Sequence, residues 1–426
     1  MLPKKWVLVP ALFLAAVLAV TACQPPAAPP ATESVAKILT VGYTTSQTGS
    51  YNVSSTRQVN GLNLWMKEVN DAGGIKLSDG TVITFTGESY DDESNKDRVQ
   101  ELYTRLATED NADVLISPYS SGLTAAAAVI AEQYGKVMIT TGAASDATYK
   151  EGYTQVFQAY TPASRYLTGA VDLLAHVDPS VKRIAFVYEN DKFSTDVVTA
   201  AKDYAESLGY EVVLFEGYDS ATTDFGPFIN KIEATSPEAL MGGGHFQDGS
   251  TFARQIHEKG VTAGFFALLV APPEPDFADL GGAALGVIGP SQWEPLAAFT
   301  PESAKEAGLE WFGRTGEEFV AAYVAAYDEE PSYHSIGGYV AGVILQKAII
   351  DADSTDPAAI RKAMDALDVL TCYGRVKFDT SAEAHGLQIG HDMVYIQWQE
   401  DDAGSLAKQV VWPLEGATAE TLYPKP

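Results

Sequence analysis

The sequence predicts an α/β protein built as two doubly wound, Rossmann-like lobes. From residue 37 onward, short apolar strands alternate with amphipathic helices, the rhythm of a parallel sheet covered on both faces. That rhythm starts afresh after Tyr160, so two such sheets follow one another. The roughly 400 residues beyond an N-terminal leader also exceed what a single core holds.

The leader comes first. Lys4 and Lys5 precede an apolar run over 6–20, which closes in Val20, Thr21, Ala22 and Cys23. Charge before the run orients it during export, and the small residues let a peptidase reach the bond before Cys23. This resembles the lipobox of a bacterial lipoprotein, which implies that Cys23 becomes the first mature residue and carries lipid. The run is short for a membrane span, and a Pro/Ala tether over 24–31 follows at once.

Residues 37–44 read as a strand. Residues 57–72 place Val59, Leu62, Trp65, Met66 and Val69 on one helical face, ended by Gly73 and Gly74. Residues 81–88 alternate as a strand, 93–109 carry Val99, Leu102, Tyr103 and Leu106 at helical spacing, and 113–117 form a buried strand. An Ala-rich helix over 123–134 and a strand over 136–140 complete the first series. The second series has helices at 164–176, 194–208, 225–234 and 249–259, interleaved with strands at 183–188, 211–216, 238–242, 265–269 and 285–288. Helices at 315–327, 335–352 and 357–367 follow, then strand-like 375–378 and 393–398.

Without the leader's two lysines, 26 basic residues face 56 acidic ones, a net charge of −30. Such a surface repels phosphate backbones, so nucleic acid is excluded as a partner. Once Cys23 is lipidated only Cys372 remains, and packing rather than an internal disulfide carries stability. Past the leader no apolar stretch is long enough to span a bilayer. The six histidines are scattered, with no HExxH, cysteine cluster or P-loop, so neither a metal nor a cofactor is expected. Asp91, Asp92 and Glu93 stand at a helix entrance, where acids serve the dipole. An exported hydrolase is the rival from another class, resting on Tyr333-His334-Ser335-Ile336-Gly337, but its first glycine is missing and Ser335 opens a helix.

Several short motifs follow one another along the chain. They are Gly49 before Asn60-Gly61, Val69-Asn70-Asp71-Ala72-Gly73-Gly74-Ile75, Tyr90-Asp91-Asp92, and residues 117–124 and 138–145. Later come Tyr373-Gly374-Arg375-Val376-Lys377-Phe378-Asp379, residues 394–399, and Val410-Val411-Trp412-Pro413. In these the chain closely resembles the type I periplasmic solute-binding proteins of ABC transporters, in the branched-chain amino acid and amide group. The resemblance implies a three-crossover hinge near Tyr160, Pro290 and Leu370. It divides the chain into a leader at 1–22, a tether at 23–36, lobe I at 37–159 plus 290–370, and lobe II at 160–289 plus 371–426. It also implies an extracytoplasmic, lipid-anchored receptor that delivers an amino acid or amide to ABC permease subunits and has no catalytic role. A lipoprotein feeding a signalling receptor is the alternative, because sensing and transport use the same two-lobe device.

Ligands of open α/β sheets bind where strands end and helices begin. Tyr119-Ser120-Ser121-Gly122 lies at such a point, where free amides and the helix dipole favour a carboxylate. By resemblance Ser121, with Gly122, takes that carboxylate; helix capping is the competing reading. The resemblance also implies Gly142, Ala143 and Ser145 from the next loop and Phe193 from lobe II. Tyr51 could wall a side-chain pocket or pack its own loop. His245 or Phe246 stands where the family commonly has tyrosine. Close relatives carry a glutamate for the ligand ammonium where residues 268–273 stand here, leaving Glu274 and Asp248 as the nearest acids. Both an amino acid and a neutral amide or urea-like solute therefore stay open.

Overall fold

The computed structural model describes Met1, Lys5 and residues 35–426 apart from Ala298 and Asp402. The leader's apolar run and Cys23 lie outside the described residues. No described helix is long and apolar enough to cross a membrane.

The first half contains β1 (Ala36–Thr45), α1 (Asn52–Asp71), β2 (Ile75–Lys76), β3 (Val82–Asp91), α2 (Lys96–Thr108), β4 (Val114–Ile116), α3 (Ser121–Gln133), β5 (Met138–Thr140) and β6 (Val156–Gln158). Its six strands form one sheet in the order β2-β3-β1-β4-β5-β6. The next series is α4 (Thr168–Val177), β7 (Arg183–Glu189), α5 (Lys192–Ser207), β8 (Glu211–Tyr218), α6 (Gly226–Thr235), β9 (Ala239–Gly243), α7 (Phe246–Lys259), β10 (Phe265–Leu268) and β11 (Ile288–Ser291). The chain finishes with α8 (Pro301–Ala307), β12 (Glu310–Trp311), α9 (Gly316–Tyr327), α10 (Tyr333–Ala352), α11 (Pro357–Asp365), β13 (Asp368–Thr371), β14 (Gly374–Lys377), β15 (Val394–Glu400) and β16 (Leu406–Trp412). The second sheet runs β16-β15-β11-β10-β9-β7-β8, and β12, β13 and β14 form a small third one.

Two doubly wound sheets are present, as the strand and helix rhythm predicts, but neither is wholly parallel. β2 pairs antiparallel at the edge of the first sheet, and β15 and β16 close the second antiparallel. The physical reason is connection length: only a short turn joins β15 to β16, whereas parallel neighbours need a crossover of about a dozen residues. The helix expected over 164–176 is broken into a single turn at Ala163–Arg165 and α4. The strand expected at 285–288 begins at Ile288, and three-residue β6 gave no signal of its own.

Strand alternation explains the layering of the second sheet. In β7, Ile184, Phe186 and Tyr188 enter one apolar layer, with Leu173 and Val197. Ala185 and Val187 enter the other, with Ile229 and Phe252. In the first lobe α1 crosses α10 almost backbone to backbone. A β-carbon at Gly61 would lie 1.8 Å from the Ser335 carbonyl oxygen, and one at Gly338 1.8 Å from that of Gln58. Any larger residue at either position separates the helices.

The segments passing between the sheets are tied to one another. Thr161 donates its N–H to Gln292 Oε1 at 2.9 Å, and Tyr373 donates its hydroxyl to the same oxygen at 3.2 Å. His391 donates Nε2–H to the Tyr373 carbonyl at 2.8 Å, which leaves Nδ1 to accept from Thr161 Oγ1 at 2.7 Å. The Tyr373 and His391 rings stack at 4.5 Å.

Candidate functional site

The carboxyl ends of β1, β4, β5, β7, β9 and β10 turn toward the same region, where the two lobes meet. Parallel pairing dictates this, because all strand ends of one polarity share one edge of each sheet. Side chains from both lobes close there around a narrow void of about 10 Å³, lined among others by Tyr119, Gly142, Tyr160, Phe193, His245 and His334.

The first-lobe wall is set by loops after β4 and β5. Ser121 is buried at the first turn of α3, and its Oγ accepts the N–H of Ala144 at 3.1 Å and of Ser145 at 3.2 Å. The hydroxyl thus holds the neighbouring loop against the helix start, and neither Ser120 nor Ser121 caps α3 through its side chain. Gly142 has φ +66°, and a β-carbon there would lie 2.2 Å from Gln58 Oε1 and 2.6 Å from Tyr119 Cδ2. Among the described residues, the buried Gln58 Oε1, Ser120 Oγ and Thr141 Oγ1 have no hydrogen-bond partner. Buried polar atoms are nearly always paired, so these three mark a surface prepared for something else.

The second-lobe wall carries the charge. Asp191 caps α5, accepting N–H groups from Ser194 and Phe193 at 2.8 and 3.3 Å. His245 sits at the start of α7, with Nε2 3.2 Å from Asp191 Oδ2 and 3.8 Å from Glu189 Oε2. Its Nδ1 lies 2.8 Å from the Tyr119 hydroxyl, a link across the cleft. Burial opposes a charge on this imidazole, yet Glu189, Asp191 and Asp248 together raise it to about 9. Asp248 accepts the His245 N–H at 2.8 Å and the Tyr218 hydroxyl at 2.5 Å. Burial first and then the Glu189 charge push its carboxyl up to about 7.

Other contacts cross the cleft. Ser145 donates to the Asp196 carboxylate. Glu274, wholly buried after β10, takes hydrogen bonds from Arg57 of α1 and His334 of α10. Arg57 also reaches Asp276 at 3.1 Å. The acid nearest to the expected ammonium position therefore does enter the lobe interface, but two donors of the protein already occupy it.

The candidate residues separate accordingly. Gly142, Phe193 and His245 line the central space, Tyr51 packs edge-on against His245 at 4.7 Å, and Asp248 stands behind His245. Ser121 and Ser145 shape the loops. Ala144 rather than Ala143 faces the cavity, one residue along. Gly122 is not part of that lining, and Phe246 turns away to pack against the apolar layer around Phe252. Sequence reasoning missed Tyr160, Tyr166, Tyr333 and His334, which reach the site from chain crossings and helix starts. Glu189 ends β7 and Tyr119 lies three residues after β4, and a place at the carboxyl end of a strand was signal enough. Asp91 and Asp92 accept N–H groups of Glu93 and Ser94 in their own loop and the hydroxyls of Thr48 and Ser46 in the loop after β1, while Asn95 caps α2. Ser335 Oγ accepts the Ser332 N–H at 3.2 Å, a helix-start role.

A family model described as periplasmic binding protein matches residues 38–404. Leu/Ile/Val-binding protein homolog 8 of Brucella abortus is 26% identical over 401 residues, covering 88% of this chain and 91% of the relative. Homolog 7 of Brucella melitensis is 25% identical over 379 residues, covering 86% and 89%. Among solved structures, the branched-chain amino acid transporter substrate binding protein LivJ of Streptococcus pneumoniae, in complex with isoleucine, superposes with a TM-score of 0.72 at 19% identity, covering 88% of this chain and 99% of that one. An ABC transporter solute binding protein from R. palustris, in complex with benzoate, gives 0.71 at 19% identity, covering 91% and 98%. At these identities the structural likeness speaks for the fold.

Proposed function

We propose, because the chain belongs to the type I periplasmic binding proteins of the branched-chain amino acid family, that it is an extracytoplasmic solute receptor of an ABC importer. It binds an amino acid or a related amide between its lobes and delivers it to a membrane permease. The observation that carries this reading is the meeting of strand ends from both lobes around a void lined by side chains of both, with the buried, unpartnered Gln58 Oε1, Ser120 Oγ and Thr141 Oγ1 next to its lining residues Tyr119 and Gly142. A solute touching both walls favours the closed state by the free energy of contacts that the open state cannot make. We place the three crossings at residues 160–163, 288–293 and 378–393, the last of them later than the expected Leu370, because Cys372, Tyr373 and Val376 pack in the first core. Supporting this, Tyr160, Trp293 and Phe378 belong to the first core, while Ala163, Ile288 and Met393 belong to the second. Anchoring through lipid on Cys23 rests on the leader motif. A Cys23→Ser chain recovered in the soluble fraction supports it, and one still in the membrane fraction refutes it.

The test is a thermal-shift screen of the chain from Gln24 onward against amino acids, amides, ureas and small aromatic carboxylates, followed by calorimetry. A ligand bound only by the folded state raises Tm by mass action. Saturable one-to-one binding of an amino acid or amide is the expected result. Silence across all four classes overturns the reading.

A further inference from the structure

Glu189, Asp191 and His245 each bring one ligand-type atom to the second-lobe wall, and the three atoms lie within 4.8 Å of one another. Glu189 ends β7, Asp191 caps α5 just after it and His245 follows β9, so two paired strands deliver all three to one point. One proton cannot satisfy this group. The His245 Nε2 carries at most a single N–H, and Asp191 Oδ2 at 3.2 Å takes it. Glu189 Oε2 stands 3.8 Å from the same nitrogen on a side chain 4% exposed, and among the described residues it accepts no hydrogen bond. The imidazolium charge reaches Glu189, but no donor does, and buried polar atoms are seldom left so. Asp248 stays outside the group, its carboxylate occupied by the Tyr218 hydroxyl and the His245 backbone N–H.

We propose that Glu189, Asp191 and His245 bind a divalent first-row transition metal ion, with zinc as its representative. Bonds of about 2.0–2.2 Å at tetrahedral angles set ligand atoms about 3.3–3.6 Å apart. The separations of 3.2 and 3.8 Å from His245 Nε2 bracket that span. The ion takes the place of the proton between Nε2 and Asp191 and makes a further bond to Glu189, which a proton cannot. Two carboxylates then balance its two charges, and the imidazole is neutral. With Nε2 on the metal, the remaining ring proton is on Nδ1 and donates to the Tyr119 hydroxyl at 2.8 Å, while Asp191 Oδ1 accepts the Ser194 N–H at 2.8 Å. Hydrogen bonds of this kind behind the ligands hold them in place. An imidazole among the donors suits zinc and its neighbours, whereas calcium and magnesium favour oxygen alone. Beside Glu189 and His245 lies a cavity of about 150 Å³, lined also by Ser50, Tyr51 and Thr222, with room for a fourth ligand. This site goes beyond the receptor reading and requires no solute.

The experiment titrates the tag-free mature chain, stripped with a chelator, with zinc chloride by calorimetry in the absence of amino acids and amides. One ion should bind per chain and resist a large excess of magnesium or calcium. Glu189→Gln, which keeps size and shape, should weaken zinc by at least about 100-fold, and Tyr119→Phe, which removes only the bond behind His245, by about 10-fold. Cobalt in place of zinc should give the intense visible absorption of a four-coordinate ion, lost in Glu189→Gln. Melts without metal check that each variant is folded; should Glu189→Gln not fold, Tyr119→Phe and the cobalt spectrum of the parent decide. Absence of stoichiometric zinc overturns the inference, as does equal zinc binding in Glu189→Gln or the weak spectrum of six-coordinate cobalt. Zinc bound with no solute found leaves the site standing while the receptor reading fails; a solute bound with no zinc does the reverse.

Discussion

Replacing Arg57 with Met strips one partner from the buried ion cluster that joins the lobes. The Arg57 side chain is 6% exposed and that of Glu274 0%, so water screens neither. Burial alone would raise the Glu274 carboxyl, but His334 and then Arg57 outweigh it and hold it at about 2 instead of 4.5. That difference corresponds to about 3 kcal/mol in favour of the ionised form. In Arg57→Met the carboxylate keeps His334, whose own charged form burial disfavours, and the weaker pull of Lys408. The expected loss is about 3 kcal/mol, the size seen when one member of a buried pair is removed. Arg57→Met combined with Glu274→Gln removes both charges, and its loss should shrink to about 1 kcal/mol. Thermal melts at pH 7.5 read this as a Tm lower by about 5 °C in the single variant and largely restored in the double. The sign with pH also follows. A depressed carboxyl contributes stability that is complete above about 4.5 and lost as pH falls toward 2, so Glu274→Gln should flatten that part of the acid limb. A single variant as stable as the parent, or a double variant less stable than the single, would refute the reasoning.

Gly142→Ala places a β-carbon 2.2 Å from Gln58 Oε1 at φ +66°, where a side chain is already strained. A loss of about 2 kcal/mol and of ligand binding is expected, and parent-like melting and binding would show that the loop is not held as described. His391 is buried between the crossing segments, and burial depresses it to about 4. Its contribution of about 3 kcal/mol is present above pH 6.5 and lost as pH falls through 4. Melts from pH 7 to 4 should show this loss in the parent and not in His391→Gln; a flat parent profile contradicts it.

The fold was legible because buried parallel strands and amphipathic helices write their period into the chain. Val59, Leu62, Trp65, Met66 and Val69 mark the inner face of α1 without any knowledge of its partner. The antiparallel end of the second sheet was not legible, since β15 carries the same apolar pattern whichever way its neighbours run. At the site, positions after strands were readable, and Tyr51, Gly142, Phe193 and His245 gather as the loop positions imply. Tyr166 and Tyr333 were not, because they lie far apart in the chain and meet only through the tertiary fold, the Tyr166 hydroxyl donating to that of Tyr333 at 3.2 Å. Phe246 misled for a local reason: one step along the start of α7 turns a side chain by about 100°, from the cleft to the apolar layer.

Lobe closure in this chain is supported by its own polar groups as well as by a solute. Tyr119 meets His245, Ser145 meets Asp196, and Arg57 with His334 meets Glu274, each pair crossing from one lobe to the other. A ligand shifts the open and closed populations only by what it adds beyond these bonds. Strong intrinsic closure raises affinity, because less binding energy is used to populate the competent state, but it narrows the difference between the liganded and the empty closed populations.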